Sequence, residues 1–105
     1  MIRVTLFTRK GMITGFECSG HAGYAEAGRD IVCAAVSVLT TTCANALETV
    51  ARAQPQVKAR EGEMRLSLPD PQGRDAQVIL LAMRQGLRDV EAEYPDHLQL
   101  TERAL

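Results

Sequence analysis

Residues 30–52, DIVCAAVSVLTTTCANALETVAR, decide the fold, because they can be read as strand or as helix. The β-branched run VSVLTTT at their centre favours extended backbone. Against it, Val32, Val36, Leu39, Cys43, Leu47 and Val50 recur by threes and fours, the spacing of an amphipathic helix. The stretch also lacks Gly and Pro after Asp30, so a helix over about 31–52 is expected, with Asp30 at its N-cap.

Upstream, Ile2, Val4 and Leu6 alternate and the apolar pattern resumes at Ile13 and Phe16. The first eighteen residues are therefore expected to form a hairpin with Gly11 in the turn and Cys18 near the end of the second strand. Ser19 to Arg29, rich in Gly and Ala and without a sustained period, reads as a mobile loop. Downstream, a short strand at Val57–Arg60 is expected to turn at Glu61 and Gly62 into a second one with Met64, Leu66 and Leu68 on one face, ended by Pro69 and Pro71. Residues 74–94 repeat the helical spacing at Ile79, Met83, Leu87, Val90 and Tyr94, and Pro95 stops them. His97–Leu100 supplies a last strand. The order ββαββαβ predicts a two-layer α+β single domain over residues 1–105, with a mixed or antiparallel sheet packed against two helices.

A chain of 105 residues suits one core. Its 12 Lys plus Arg nearly balance 13 Asp plus Glu, so no global field draws it to nucleic acid or to an anionic membrane, and neither is an expected partner. The cations Arg3, Arg9 and Lys10 read as one solvated hairpin end, and with two Phe, two Tyr and no Trp there is little for base stacking. The longest apolar run, Ile31–Leu39, is interrupted by Ser37 and falls far below the roughly 18 to 20 residues of a membrane span. The start MIRVTLFTRK lacks a basic segment followed by an apolar core, and the three cysteines are an odd number, so a cytoplasmic protein with reduced thiols is expected.

Cys33 is the third residue of the expected helix and Asp30 its cap, which puts the thiol in the first turn. The partial positive charge of unpaired N–H groups there favours thiolate, and the Asp30 carboxylate opposes it. A thiolate nucleophile needs a partner that exchanges a proton near neutral pH. Of the two histidines, His21 can reach Cys33 if the loop folds back, whereas His97 falls in the last expected strand. Ser37 lies one turn after Cys33 on the same face and could orient the histidine or a substrate carbonyl. The backbone amides of Cys33 and Ala34 are the expected oxyanion donors. Taken singly, each residue has a plain structural reading: a core thiol, a loop histidine, a helix cap, a polar helix position. Cys18, His21 and Cys33 invite a zinc reading, but Cys43, ten residues farther along the helix than Cys33, would lie about 15 Å away. No metal and no cofactor is expected. Cys18 and Cys43 read as core residues, with Cys18 the alternative resolving thiol for an oxidised Cys33.

GHA at 20–22 followed by GRDIVCAAVS at 28–37 resembles the ribosomal-processing cysteine protease family of bacteria, known as Prp. The resemblance is densest from Gly20 to Leu39. It implies a protease that removes a short N-terminal extension from the ribosomal protein numbered twenty-seven of the large subunit. On this likeness His21 and Cys33 match the catalytic pair, Asp30 and Ser37 the supporting residues, and Gly20, Gly23 and Gly28 a flexible substrate loop before the cysteine helix. The family likeness also implies a homodimer. Two other readings stay open at this point: a noncatalytic ribosome-associated module that binds a protein tail or RNA, and a thiol redox enzyme.

Overall fold

The structure, a computed structural model, describes residues 1–71 and 73–105. Its elements are β1 (Ile2–Arg9), β2 (Met12–Ser19), α1 (Ile31–Thr49), β3 (Gln56–Arg60), β4 (Glu63–Ser67), α2 (Arg74–Glu93) and β5 (Leu98–Ala104). The order is the expected one, and the sheet is mixed, β3-β4-β2-β1-β5.

Periodicity prevails over β propensity in α1 because its buried residues, Val32, Val36, Thr40, Cys43, Ala44 and Leu47, all join one core. Thr40, which propensity would place in a strand, satisfies its hydroxyl on the Val36 carbonyl one turn back at 2.9 Å. The helix stops at Thr49 rather than at about 52, since Ala51 turns its N–H back to the Ala46 carbonyl and Arg52 adopts a positive φ of 57°. By length and composition α1 is apolar enough to cross a membrane, although its apolar run Ile31–Leu39 alone is far shorter than a span. Its Ile, Val, Leu, Ala and Cys residues keep mean hydropathy high despite Ser37 and the threonines. Here it serves as a core helix.

The β1–β2 hairpin turns at Lys10 and Gly11, both with positive φ, 52° and 79°, as a two-residue turn matched to strand twist requires. Arg3 lies at the opposite end of β1, six residues or about 20 Å from Arg9, so the three cations expected at one hairpin end are not a single cluster. At the other edge β5 pairs with β1 in parallel, Ile2 against Leu98 through Thr8 against Ala104. This partner lets the strand run well past Leu100. His97 precedes it, with its carbonyl accepting from Ile2 N–H at 3.0 Å. Val4 and Leu6 of β1, Phe16 of β2 and Leu98 of β5 are fully buried, as are Val32 and Leu47 of α1 and Leu80 and Leu87 of α2. One sheet face thus carries both helices. Cys33 projects from the start of the helical layer, and the β2–α1 loop begins where the sheet layer ends.

Candidate active site

Asp30 is buried at 9% exposure and its two oxygens serve two structures at once. Oδ1 accepts from the Val32 and Cys33 amides at 3.0 and 2.9 Å, the expected helix cap. Oδ2 accepts from the Tyr24 and Ala25 amides at 3.0 and 3.4 Å and so folds the loop back onto the helix start. The Cys33 amide first, then those of Tyr24 and Ala25, hold the Asp30 carboxyl below the ordinary carboxylate range against the opposing effect of burial. Asp30 braces the loop as well as the helix.

The brace brings His21 and Cys33 to one place. A cleft of about 260 Å³ between α1 and the β3–β4 turn is lined by both, with Cys18, Val36, Met64 and Arg60 among its other walls. A second of about 580 Å³ lies under the loop, against Gly23, Ala25, Ala27, Gly28 and Glu61. Among the described residues, His21, Cys33 and Ser37 are the ones that line both. No hydrogen bond joins His21 to Cys33 among the described residues. The His21 ring packs against the β3–β4 turn: a Cβ placed on Gly62, whose φ is +75°, would lie 3.3 Å from Nε2. Gly62, read from sequence only as a turn residue, is what leaves room for the ring.

The expected oxyanion donors need correction. The Cys33 N–H is spent on Asp30 Oδ1 at 2.9 Å, and the Ala34 N–H on the Asp30 carbonyl at 3.0 Å, the first bond of the helix. A cap that accepts the Cys33 N–H takes that same N–H away from an oxyanion. The donor that does face the sulfur is the Ala22 N–H, 3.3 Å from Cys33 Sγ. Ala22 is itself buried, and its carbonyl meets His97 Nδ1 at 2.9 Å. Tyr24 stacks edge-on against both His97 and Tyr94, ring centroids 5.3 Å apart in each case. The loop expected to be mobile throughout is thus tied down over Ala22–Ala25. His97 is the residue the sequence hid, since 75 positions separate it from Ala22 and nothing local marks the contact.

The other thiols differ. Burial pushes Cys43 up to about 12. Cys18 is pushed up by burial and then by the charge of Cys33, whose cleft it shares. Among the described residues no three His, Cys, Asp or Glu side chains are grouped as metal ligands would be.

Comparison with known proteins gives this arrangement a context. The family described as Cysteine protease Prp matches residues 1–99. The chain is 35% identical over 98 residues to the Ribosomal processing cysteine protease Prp of Bacillus subtilis, covering 88% of this chain and 87% of that protein. It is 30% identical over 93 residues to the protein of the same name from Staphylococcus aureus strain Mu50, covering 87% and 88%. Its fold superposes with a TM-score of 0.95, at 29% identity and over 98% of this chain and 100% of the other, on a crystal structure of the S. aureus protease Prp with a covalently linked product peptide. The family match runs from β1 through the loop and the helix cap to the start of β5, and this chain belongs to the Prp family of cysteine proteases.

Proposed function

We propose that this chain is an endopeptidase that removes an N-terminal extension from the large-subunit ribosomal protein numbered twenty-seven, with Cys33 as nucleophile and His21 as general base and acid. The observation that carries the reading is that His21, Cys33 and Ser37 line both clefts. A peptide laid through the two would cross the sulfur with chain on either side of the scissile bond, as cutting within a chain requires. The names of the relatives, ribosomal processing proteases, support the substrate class.

His21 takes the Cys33 proton, the sulfur attacks the carbonyl carbon, and the C–S bond forms as the C=O pair moves onto oxygen. When that pair returns, the C–N bond breaks and His21 delivers the proton to the leaving amine. Water, deprotonated by the same imidazole, then attacks the thioester carbon and frees the thiolate. Asp30 acts through the loop and helix start that it joins, and Ser37, which lines both clefts, orients His21 or the substrate carbonyl. The family likeness further supports a homodimer, which light scattering at micromolar concentration tests as a doubled mass.

The test of the reaction is digestion of the organism's own ribosomal protein, followed by intact-mass spectrometry. Wild type should cut at one site near the N-terminus, and Cys33→Ala and His21→Ala should each lose at least about a thousandfold of kcat. Undiminished cutting by Cys33→Ala would remove it as nucleophile. A binding module without turnover would hold the substrate and leave it whole.

A further inference from the structure

We propose that the Ala22 backbone amide is the donor that stabilises negative charge at the reacting centre, on the Cys33 sulfur before attack and on the substrate oxygen after it, and that His97 positions this amide. The proposal rests on Cys33 being the nucleophile.

Three observations converge on Ala22. Its N–H points at Cys33 Sγ from 3.3 Å, while the helix-start amides of Cys33 and Ala34 are committed to Asp30. The residue is buried at 3% exposure, so it cannot swing freely. Its carbonyl is met by His97 Nδ1 at 2.9 Å. A carbonyl oxygen only accepts, so Nδ1 carries the proton and the imidazole donates. His97 is held in turn by the Tyr24 ring and by the bond from its own N–H to the Tyr94 carbonyl at 3.0 Å.

The chemistry follows the charge. In the resting enzyme the Ala22 N–H faces sulfur. When sulfur bonds to the carbonyl carbon, the charge passes to an oxygen one atom farther on, and a donor fixed beside the sulfur is within reach of it. A donor must sit about 2.7–3.1 Å from that oxygen to be effective, and this tolerance is why its carrier needs a clamp. His97 supplies the clamp from outside the loop. It lines neither of the two clefts at Cys33, which makes it a positioning residue.

The experiment compares wild type, His97→Leu and His97→Asn in the full chain. Asn places an amide N–H close to where Nδ1 stands, whereas Leu fills similar space and donates nothing. Peptide cleavage is read as kcat and KM, and the Ala22 amide as its ¹⁵N-resolved proton shift and hydrogen-exchange rate. His97→Leu should lower kcat about tenfold with KM within about twofold, and His97→Asn should recover kcat to within about threefold of wild type. The Ala22 amide should lose protection in His97→Leu alone. The proposal is overturned by full kcat in His97→Leu, by equal loss in both variants, or by an Ala22 amide unchanged in all three. Should His97→Leu fail to fold, His97→Asn decides: a fall in its kcat of more than about tenfold with a folded spectrum overturns the donor role. Absence of cleavage by wild type would instead strike the protease reading of Cys33, and the amide resonance would still test the clamp by itself.

Discussion

Each sulfur in this domain has a different environment, and reactivity should follow. Cys33 is half-buried and opens onto both clefts. Cys18 shares one of those clefts but is pushed up by burial and by the Cys33 charge, and Cys43 lies in the core, pushed up to about 12. Thiolate is the reacting form, so burial slows Cys18 and Cys43 both by limiting access and by disfavouring their ionisation. Brief treatment of the folded protein with iodoacetamide at neutral pH should alkylate Cys33 first and Cys18 more slowly. Cys43 should react only after denaturant is added. Peptide mapping by mass spectrometry reads the order directly, and early labelling of Cys43 would contradict the packing described for α1. The same order leaves Cys18 poorly suited to resolve an oxidised Cys33, because most of it is protonated when it would need to attack.

Among the elements, the β2–α1 loop is joined to the start of α1 by one carboxylate. The Asp30 carboxyl is held below the value of about 3.9 that it takes in an unfolded chain. Its contribution is therefore complete above that pH and is lost as pH falls through the lower folded value. Asp30→Asn should be less stable than wild type near pH 6, and the gap in urea midpoint should narrow toward pH 2. Glu63, also held low by its bonds to Arg60, is present in both proteins and cancels from the difference. A gap that stays constant with pH would deny the carboxylate this role. The β3–β4 turn gives a second test. Gly62→Ala and Gly11→Ala both force a Cβ onto positive φ, +75° and +79°, and each should cost about 1 kcal/mol. The added methyl at 62 meets the His21 ring, while at 11 it meets nothing within 4 Å. Gly62→Ala should therefore lower kcat severalfold and Gly11→Ala leave it unchanged, which steady-state kinetics on the two variants would decide. What sequence made legible here was local: the threes and fours of α1 and α2, the turns at Gly11 and Gly62, the cap at Asp30. What it hid was pairing across the chain, namely the parallel β1–β5 edge and the reach of His97 to Ala22. The oxyanion assignment failed for another reason: a cap accepting the Cys33 N–H removes that same N–H from catalysis, a conflict present in the sequence reading itself.

In the molecule as a whole, Cys33 belongs to the helical layer and His21 follows directly from the sheet layer, so the fit between layers sets the geometry of the pair. Two glycines show how differently the layers resist change. Gly15 sits mid-sheet, opposite Phe7 on one side and Ser67 on the other, and a Cβ there would collide with the Leu66 carbonyl oxygen. That oxygen is backbone in a strand paired on both sides, and relief requires moving the sheet. Gly86, on α2, faces Leu39 of α1, and a Cβ there would come within 2.5 Å of Leu39 Cδ2. The clash is with the end of a partly buried side chain that can change rotamer. Ala is also favoured over Gly in a helix by about 1 kcal/mol, which offsets the crowding. Gly86→Ala should thus be close to neutral, whereas Gly15→Ala should cost about 1–3 kcal/mol, as overpacking against an unyielding neighbour does. For a domain of this size the second figure corresponds to a fall in Tm of about 4–8 °C per kcal/mol. Thermal unfolding of the two variants side by side measures the contrast. A larger loss in Gly86→Ala would mean that the helix pair, rather than the sheet, is the rigid frame on which Cys33 and His21 are set.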